Sequence, residues 1–159
     1  MLSGVQYMPS LNMEAIAEGG FSYAEIPYEL IERNGLPTYE KKEGESRLLR
    51  VSGLTYPLQD VVSDKLYALL EACKKYQGNY LVLETMNCKP GILEEIVEEC
   101  AMMLVDYGIP IFIENGCQGD DISGYIHSVY SDVSGLKRIA DYCNRLCERP
   151  MVGICYNIG

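Results

Sequence analysis

The sequence predicts an α/β fold built on a parallel β-sheet. β-rich runs alternate with amphipathic helical runs along the chain, which is the pattern of successive βα units. Two of the runs, 80–83 (YLVL) and 109–113 (IPIFI), are apolar at every position, as is typical of strands covered on both faces. Right-handed crossovers between such strands lead to two competing folds, a (β/α)8 barrel and an open, doubly wound parallel sheet.

Six strands are expected, each a short run rich in β-branched, aromatic or other apolar residues. They lie at 4–7, 21–27, 48–56, 79–84, 109–114 and 151–157. Five helices lie between them. The first, 13–18, ends at two glycines and the second, 28–33, stops at Asn34 and Gly35, because glycine commonly terminates helices. Apolar residues at helical spacing predict three longer helices, which begin at 61 or 63, at 92 and at 136 and end at 76, 107 and 148.

Composition limits the classes of partner. The chain has 159 residues, and we expect residues 1–159 to form a single domain. The formal charge of -10 repels a phosphate backbone, which argues against nucleic acid as a partner. The longest apolar stretch, 100–105, is too short to cross a bilayer and the chain does not open with a signal peptide, so no membrane association is expected. Seven cysteines without C-x-x-C spacing predict reduced thiols in a cytoplasmic protein.

Acidic side chains occur at the ends of the apolar strands, where parallel α/β folds carry their chemistry. Glu25, Glu84 and Glu114 each follow an apolar run, and Glu114 is the sharpest case because IPIFI becomes polar in one step. A buried acid is costly unless it is paired or binds a cation, so a cluster of acids predicts a divalent cation with oxygen ligands. The structural alternative is that these acids pair with Lys or Arg or accept backbone hydrogen bonds, and that Asn157 caps a turn.

Other polar residues extend this set of candidates. Tyr7 and Tyr56 would lie at strand ends and line a polar pocket. His127 is the only histidine, which excludes a zinc site made of several histidines. It lies in the long, Gly- and Ser-rich connection 116–135, which is either a functional lid or mobile surface, and its pKa range suits acid–base chemistry. The sequence contains neither G-x-G-x-x-G nor a Walker motif, so a nucleotide site is unsupported.

Three segments together resemble a known family. They are 17–26 (AEGGFSYAEI), 107–115 (YGIPIFIEN) and 152–159 (VGICYNIG). Their order and spacing are similar to those in the first six strands of the xylose isomerase-like TIM barrels, the sugar phosphate isomerase/epimerase superfamily. The resemblance implies an incomplete (β/α)8 barrel, because about six strands and five helices are present where a complete barrel takes roughly 200 to 250 residues or more.

The same resemblance implies a divalent metal, Mn, Mg or Zn, bound by Glu114. Asn157 matches the position of the next ligand, but it is an aspartate in the family, so the metal site has lost one charge. Tyr56 and Glu84 stand where the DNA-repair endonuclease branch needs histidines, which argues against that branch. The remaining family ligands come from strands seven and eight, which this chain does not contain.

The resulting expectation is a sugar isomerase or epimerase, incomplete as this chain. The metal at Glu114 would polarise a carbonyl, Glu84 would act as the base, and the sugar or sugar phosphate would contact Tyr7, Glu25, Tyr56 and His127. The alternative is a non-catalytic α/β domain that associates with itself or with a partner through exposed strand edges. Both hypotheses make a homo-oligomer the expected assembly.

Overall fold

The computed structural model describes residues 4–6, 13–19, 23–35, 50–85, 88–116 and 129–156. Within them lies one parallel sheet, whose six strands are hydrogen-bonded in the order in which they occur along the chain. The prediction of an α/β fold with a parallel sheet is confirmed. The strands are β1 (Gly4–Gln6), β2 (Tyr23–Pro27), β3 (Arg50–Pro57), β4 (Tyr80–Glu84), β5 (Ile111–Glu114) and β6 (Val152–Cys155).

The helices follow the strands in alternation, as the sequence predicts. They are α1 (Met13–Glu18), α2 (Tyr28–Asn34), α3 (Ser63–Lys75), α4 (Ile92–Tyr107) and α5 (Val133–Leu146). α5 begins three residues earlier than predicted because Asp132 caps it: the carboxylate accepts a hydrogen bond from the Gly135 amide at 3.0 Å. Gly108 follows the last residue of α4 and adopts the left-handed conformation (φ 65°) that is common after the end of a helix.

The strand order argues against one of the two folds that the sequence left open. A doubly wound sheet reverses its strand order near the middle and carries helices on both faces. The order from β1 to β6 contains no reversal. Apolar residues of α2, α3, α4 and α5 join one continuous core cluster with one face of the sheet. The doubly wound alternative therefore does not describe these six strands.

The two faces of the sheet differ in composition. We call the face that packs on the helices the helix face, and the opposite one the acidic face. Alternation along each strand assigns every residue to one of them. The helix face comprises Ala24, Ile26, Leu54, Tyr56, Leu81, Leu83, Ile111, Ile113, Val152 and Ile154. The acidic face comprises Glu25, Gly53, Thr55, Tyr80, Val82, Glu84, Phe112, Glu114, Gly153 and Cys155.

Two further observations bear on the sequence-based expectations. In the part of the chain that the structure describes, no helix combines the length and apolar character needed to cross a membrane. Six cysteines fall in this part, and all of them are free thiols. Five of the six are buried, where a free cysteine packs as a small apolar residue.

Candidate active site

The acidic face brings together the three glutamates that the sequence singled out. Glu84 ends β4, Glu114 ends β5, and the two residues are direct partners in the parallel register. Cys155, the last residue of β6, pairs with Glu114 on the other side. Glu25 comes from the middle of β2, opposite Gly53. Three carboxyl groups from three strands thus lie on one side of the sheet, close enough to act on one another electrostatically.

Glu25 is partly buried, and this environment disfavours its charged form. Burial raises the pKa of the Glu25 carboxyl above its ordinary value of 4.5, and the carboxylates of Glu114 and Glu84 raise it further. The Tyr80 hydroxyl lies close enough to act in the opposite direction and lowers the pKa of Glu25. The same hydroxyl donates a hydrogen bond to the Ser52 Oγ at 3.2 Å. The Tyr80 hydroxyl, whose single proton is donated to Ser52 of β3, thus lies between that strand and the Glu25 carboxyl.

Glu84 has a similar environment built from different residues. Burial raises the pKa of the Glu84 carboxyl, and the charges of Glu114 and Glu29 raise it further. The Thr55 hydroxyl faces the carboxyl and lowers the pKa of Glu84. Thr55 is only 1% exposed. Its Oγ1 forms no hydrogen bond with any of the described residues. The Thr55 hydroxyl is thus near the Glu84 carboxyl, but the two groups do not form a hydrogen bond of good geometry.

The backbone at the end of β5 is held by a buried side chain. Thr85, which is 3% exposed, donates a hydrogen bond from its Oγ1 to the Glu114 carbonyl oxygen at 2.7 Å. This bond joins the ends of β4 and β5 beyond the last pair of the sheet. The positions of Glu84 and Glu114 relative to one another are therefore fixed by two kinds of contact, the sheet register and this side-chain bond.

Two aromatic rings lie beside the carboxyl groups on the acidic face. Tyr80 and Phe112 pack edge to face, with ring centroids 5.6 Å apart and planes at 85°. Each ring leans over a glycine of the neighbouring strand. A Cβ at Gly153 would lie 2.7 Å from the Phe112 ring, and a Cβ at Gly53 would overlap the Tyr80 ring. The two glycines are needed because no larger residue leaves room for these rings.

Cys155 extends the same group of residues at the end of β6. Burial raises the pKa of its thiol, and the charges of Glu25 and Glu114 raise it further. The thiol therefore stays protonated at neutral pH and is a poor nucleophile in this state. Its sequence neighbours gave no reason to select it, because the signal is its register opposite Glu114, which only the sheet reveals.

The structure separates one predicted substrate-binding residue from the rest. Tyr56 belongs to the helix face, where its ring packs against the Tyr28 ring at a centroid distance of 6.1 Å. The Lys65 ammonium lies 5.3 Å from the Tyr56 ring centroid and pairs with Glu32 at 2.9 Å. The structure does not bring the Tyr56 ring together with the acids, because its neighbour Thr55 lies on the acidic face and successive residues of a strand alternate.

Three other predicted residues, Tyr7, His127 and Asn157, lie outside the described residues.

The acidic face has donor atoms of the type that the predicted divalent metal requires, since carboxylate oxygens are ligands for Mg²⁺ or Mn²⁺. Within the described ranges, however, no three His, Cys, Asp or Glu side chains are grouped closely enough to hold an ion. The residues present do not by themselves form a metal site, and the divalent metal at Glu114 and Asn157 stays a prediction.

The arrangement defines a class of protein before any comparison: an α/β protein whose parallel sheet carries coupled carboxyl groups and two aromatic rings on the face opposite its helices. The carboxyl groups of Glu25 and Glu84, whose pKa values are raised by burial, are suited to donating and accepting protons. Comparison with known proteins adds nothing to this description: no family model, curated protein or solved structure matches the chain.

Proposed function

We propose that this chain is a sugar isomerase or epimerase type of protein, which transfers a proton at a carbon next to a sugar carbonyl. The observation that supports this most is the grouping of Glu25, Glu84 and Glu114 on one face of the sheet, where the pKa of both Glu25 and Glu84 is raised. A carboxyl group whose pKa is shifted towards the working pH can act both as an acid and as a base.

The proposed reaction uses two of these groups. Glu84, as a carboxylate, accepts the proton from the carbon next to the carbonyl while the carbonyl oxygen takes a proton from the protonated Glu25, and an enediol forms. Protonated Glu84 then gives its proton to the former carbonyl carbon while the other enediol hydroxyl gives its proton to Glu25, which forms the isomer. For an epimer, water protonates the original carbon from the opposite face, the enediol hydroxyl formed from the carbonyl returns its proton to Glu25, and Glu84 releases its proton to the solvent. Glu84 is assigned as the base because it ends β4, at the carboxyl edge of the sheet where parallel α/β folds carry their chemistry, whereas Glu25 lies in the middle of β2.

We also propose that the six strands are consecutive strands of a TIM-type barrel, with the acidic face turned inward. Three features support this arrangement: the strands are all parallel, their spatial order follows the chain, and the helices pack on one face. Closure would place the carboxyl groups at the mouth of the barrel, where βα barrels carry their chemistry. The strands that would close the barrel come from this polypeptide or from a second copy, and the second candidate function below concerns the second copy.

Deuterium exchange tests the proposed chemistry without knowledge of the product. The protein is incubated in D2O with aldoses and ketoses, free and phosphorylated, and NMR follows loss of the proton next to the carbonyl. We expect exchange that Glu84→Gln slows by about 100- to 10,000-fold. Glu95→Gln, on the exposed side of α4, is the matched control and should leave the rate unchanged. Absence of exchange with every sugar contradicts the proposal.

A second candidate is a non-catalytic domain that forms homo-oligomers through its strand edges. It is favoured by β6, which pairs only with β5 among the described strands and whose Ile154 is partly exposed. Light scattering after size exclusion tests it. A dimer that dissociates when Ile154 is replaced by Lys supports this function, and a monomer at all concentrations contradicts it. A cytoplasmic location, supported by the free thiols, belongs with both candidates.

A further inference from the structure

The two carboxyl groups of Glu25 and Glu84 have no cationic partner among the described residues. The groups that act on them are the hydroxyls of Tyr80 and Thr55 and other carboxylates. The ion pairs found in the described ranges, Lys65–Glu32 and Lys137–Asp141, belong to helices and lie away from the acidic face. Among the described residues, the charge of Glu25 and Glu84 is therefore met by hydroxyl groups alone, and a cationic ligand would compensate it.

A second observation independent of charge also points to a missing partner. The Oγ1 of Thr55 is buried beside the Glu84 carboxyl and has no hydrogen-bond partner in the part of the chain that the structure describes. Buried hydroxyls nearly always have a hydrogen-bond partner, and an orphaned one costs free energy. A ligand that draws the Glu84 carboxyl into one fixed position would let it accept the Thr55 proton, so that binding would remove this cost.

The aromatic pair narrows the chemistry of that ligand. The rings of Tyr80 and Phe112 are partly exposed and lie on the same face as the carboxyl groups. Aromatic faces attract cations, and they also provide apolar surface for the carbon skeleton of a sugar. Carboxylates together with aromatic rings recognise an ammonium group, whereas a phosphate, with nearly two negative charges, would be repelled by the same carboxylates.

We infer that the acidic face binds a sugar-like ligand that carries a protonated amine, with the Glu84 carboxylate as its charge partner, the Glu25 carboxyl as a hydrogen-bond acceptor, and Tyr80 and Phe112 as its aromatic contacts. This inference rests on the proposed function and names its substrate class, an amino sugar in preference to a neutral sugar or a sugar phosphate.

Four probes with one carbon skeleton test the inference: glucosamine, N-acetylglucosamine, glucose and glucose 6-phosphate. Saturation-transfer NMR and titration give the dissociation constant for each. We expect glucosamine to bind at least about tenfold more tightly than glucose or N-acetylglucosamine, and the phosphate to bind most weakly. The Glu25→Gln/Glu84→Gln double variant should lose the preference for the amine, and Glu95→Gln should keep it. Phe112→Leu should raise the dissociation constant for glucosamine about two- to fivefold.

The outcomes separate the inference from the proposed function. Equal binding of glucosamine and glucose, or a preference for the amine that survives in the double variant, overturns the inference while deuterium exchange still decides the function. Tighter binding of glucose 6-phosphate overturns it as well. Failure of all four probes to bind, together with no deuterium exchange, overturns both. Circular dichroism of each variant confirms that it is folded before its binding is compared.

Discussion

The two faces of the sheet are built from the same strands and have opposite properties. On the helix face, alternate residues such as Leu54, Leu81 and Ile111 are completely buried against α3, α4 and α5. On the acidic face, the residues between them carry carboxyl groups, hydroxyls and two aromatic rings, and most are only partly buried. The helix face supplies the free energy of folding, whereas the acidic face retains charged groups that oppose it.

The largest expected effect is on the helix face. Leu81→Ala removes a fully buried side chain from the middle of β4 and should lower the free energy of unfolding by about 2 to 5 kcal/mol. Leu81→Met keeps the volume and should cost less than about 1.5 kcal/mol. Urea denaturation measures both variants. Equal stability of wild type and Leu81→Ala would mean that the helix face does not form the core.

A smaller effect is expected where the acidic face is tightly packed. Gly153→Ala places a Cβ against the Phe112 ring and should lower the free energy of unfolding by about 1 to 3 kcal/mol. Phe112→Leu in the same molecule makes room for that Cβ, so the double variant should be more stable than the sum of the two single changes predicts. Thermal and urea unfolding of the four proteins give the coupling free energy. Simple additivity would contradict the proposed packing of the ring over the glycine.

The smallest effect, and the one that best distinguishes the two faces, is a pH dependence. Burial and the neighbouring carboxylates raise the pKa of Glu25 and Glu84 in the folded chain above 4.5, so the folded protein binds protons more readily than the unfolded one. Their contribution to stability is fully present below pH 4.5 and is lost as the pH rises through the raised pKa values. Glu25→Gln and Glu84→Gln should each reduce this loss.

Asp132 provides the control of opposite sign. Hydrogen bonds from Ser134 and Gly135 lower the pKa of its carboxyl, so its contribution is present above the ordinary value of 3.8 and is lost as the pH falls through the lowered pKa. Asp132→Asn should therefore reduce the loss of stability on the acid side only. Urea unfolding at a series of pH values measures all three variants, and an unchanged profile in both glutamine variants would show that Glu25 and Glu84 are not perturbed by folding.

The sequence predicted the candidate site in part. Glu84 and Glu114 could be placed together because each closes an apolar strand, and parallel strands end at the same edge of the sheet. Thr55 and Tyr56 show why the rest could not be predicted. In β3, Ser52 is an extra residue that lies opposite the junction of Ala24 and Glu25 and forms a bulge. This bulge determines which of the later residues of β3 lie on the acidic face. A difference of one residue moves a side chain to the other face, so the sequence pattern alone does not show whether Thr55 or Tyr56 lies beside the acids.

Local pattern alone determined the kinds of elements and their order along the chain. Helices and strands differ in the spacing of their apolar residues, and that spacing is visible without any long-range contact. Only the tertiary structure decided which residues share a face, that the helices lie on one side of the sheet, and that Tyr80, Thr55 and Cys155 join the glutamates. These features depend on register and burial, which are set by packing between segments distant in the chain and not by the sequence of any one of them.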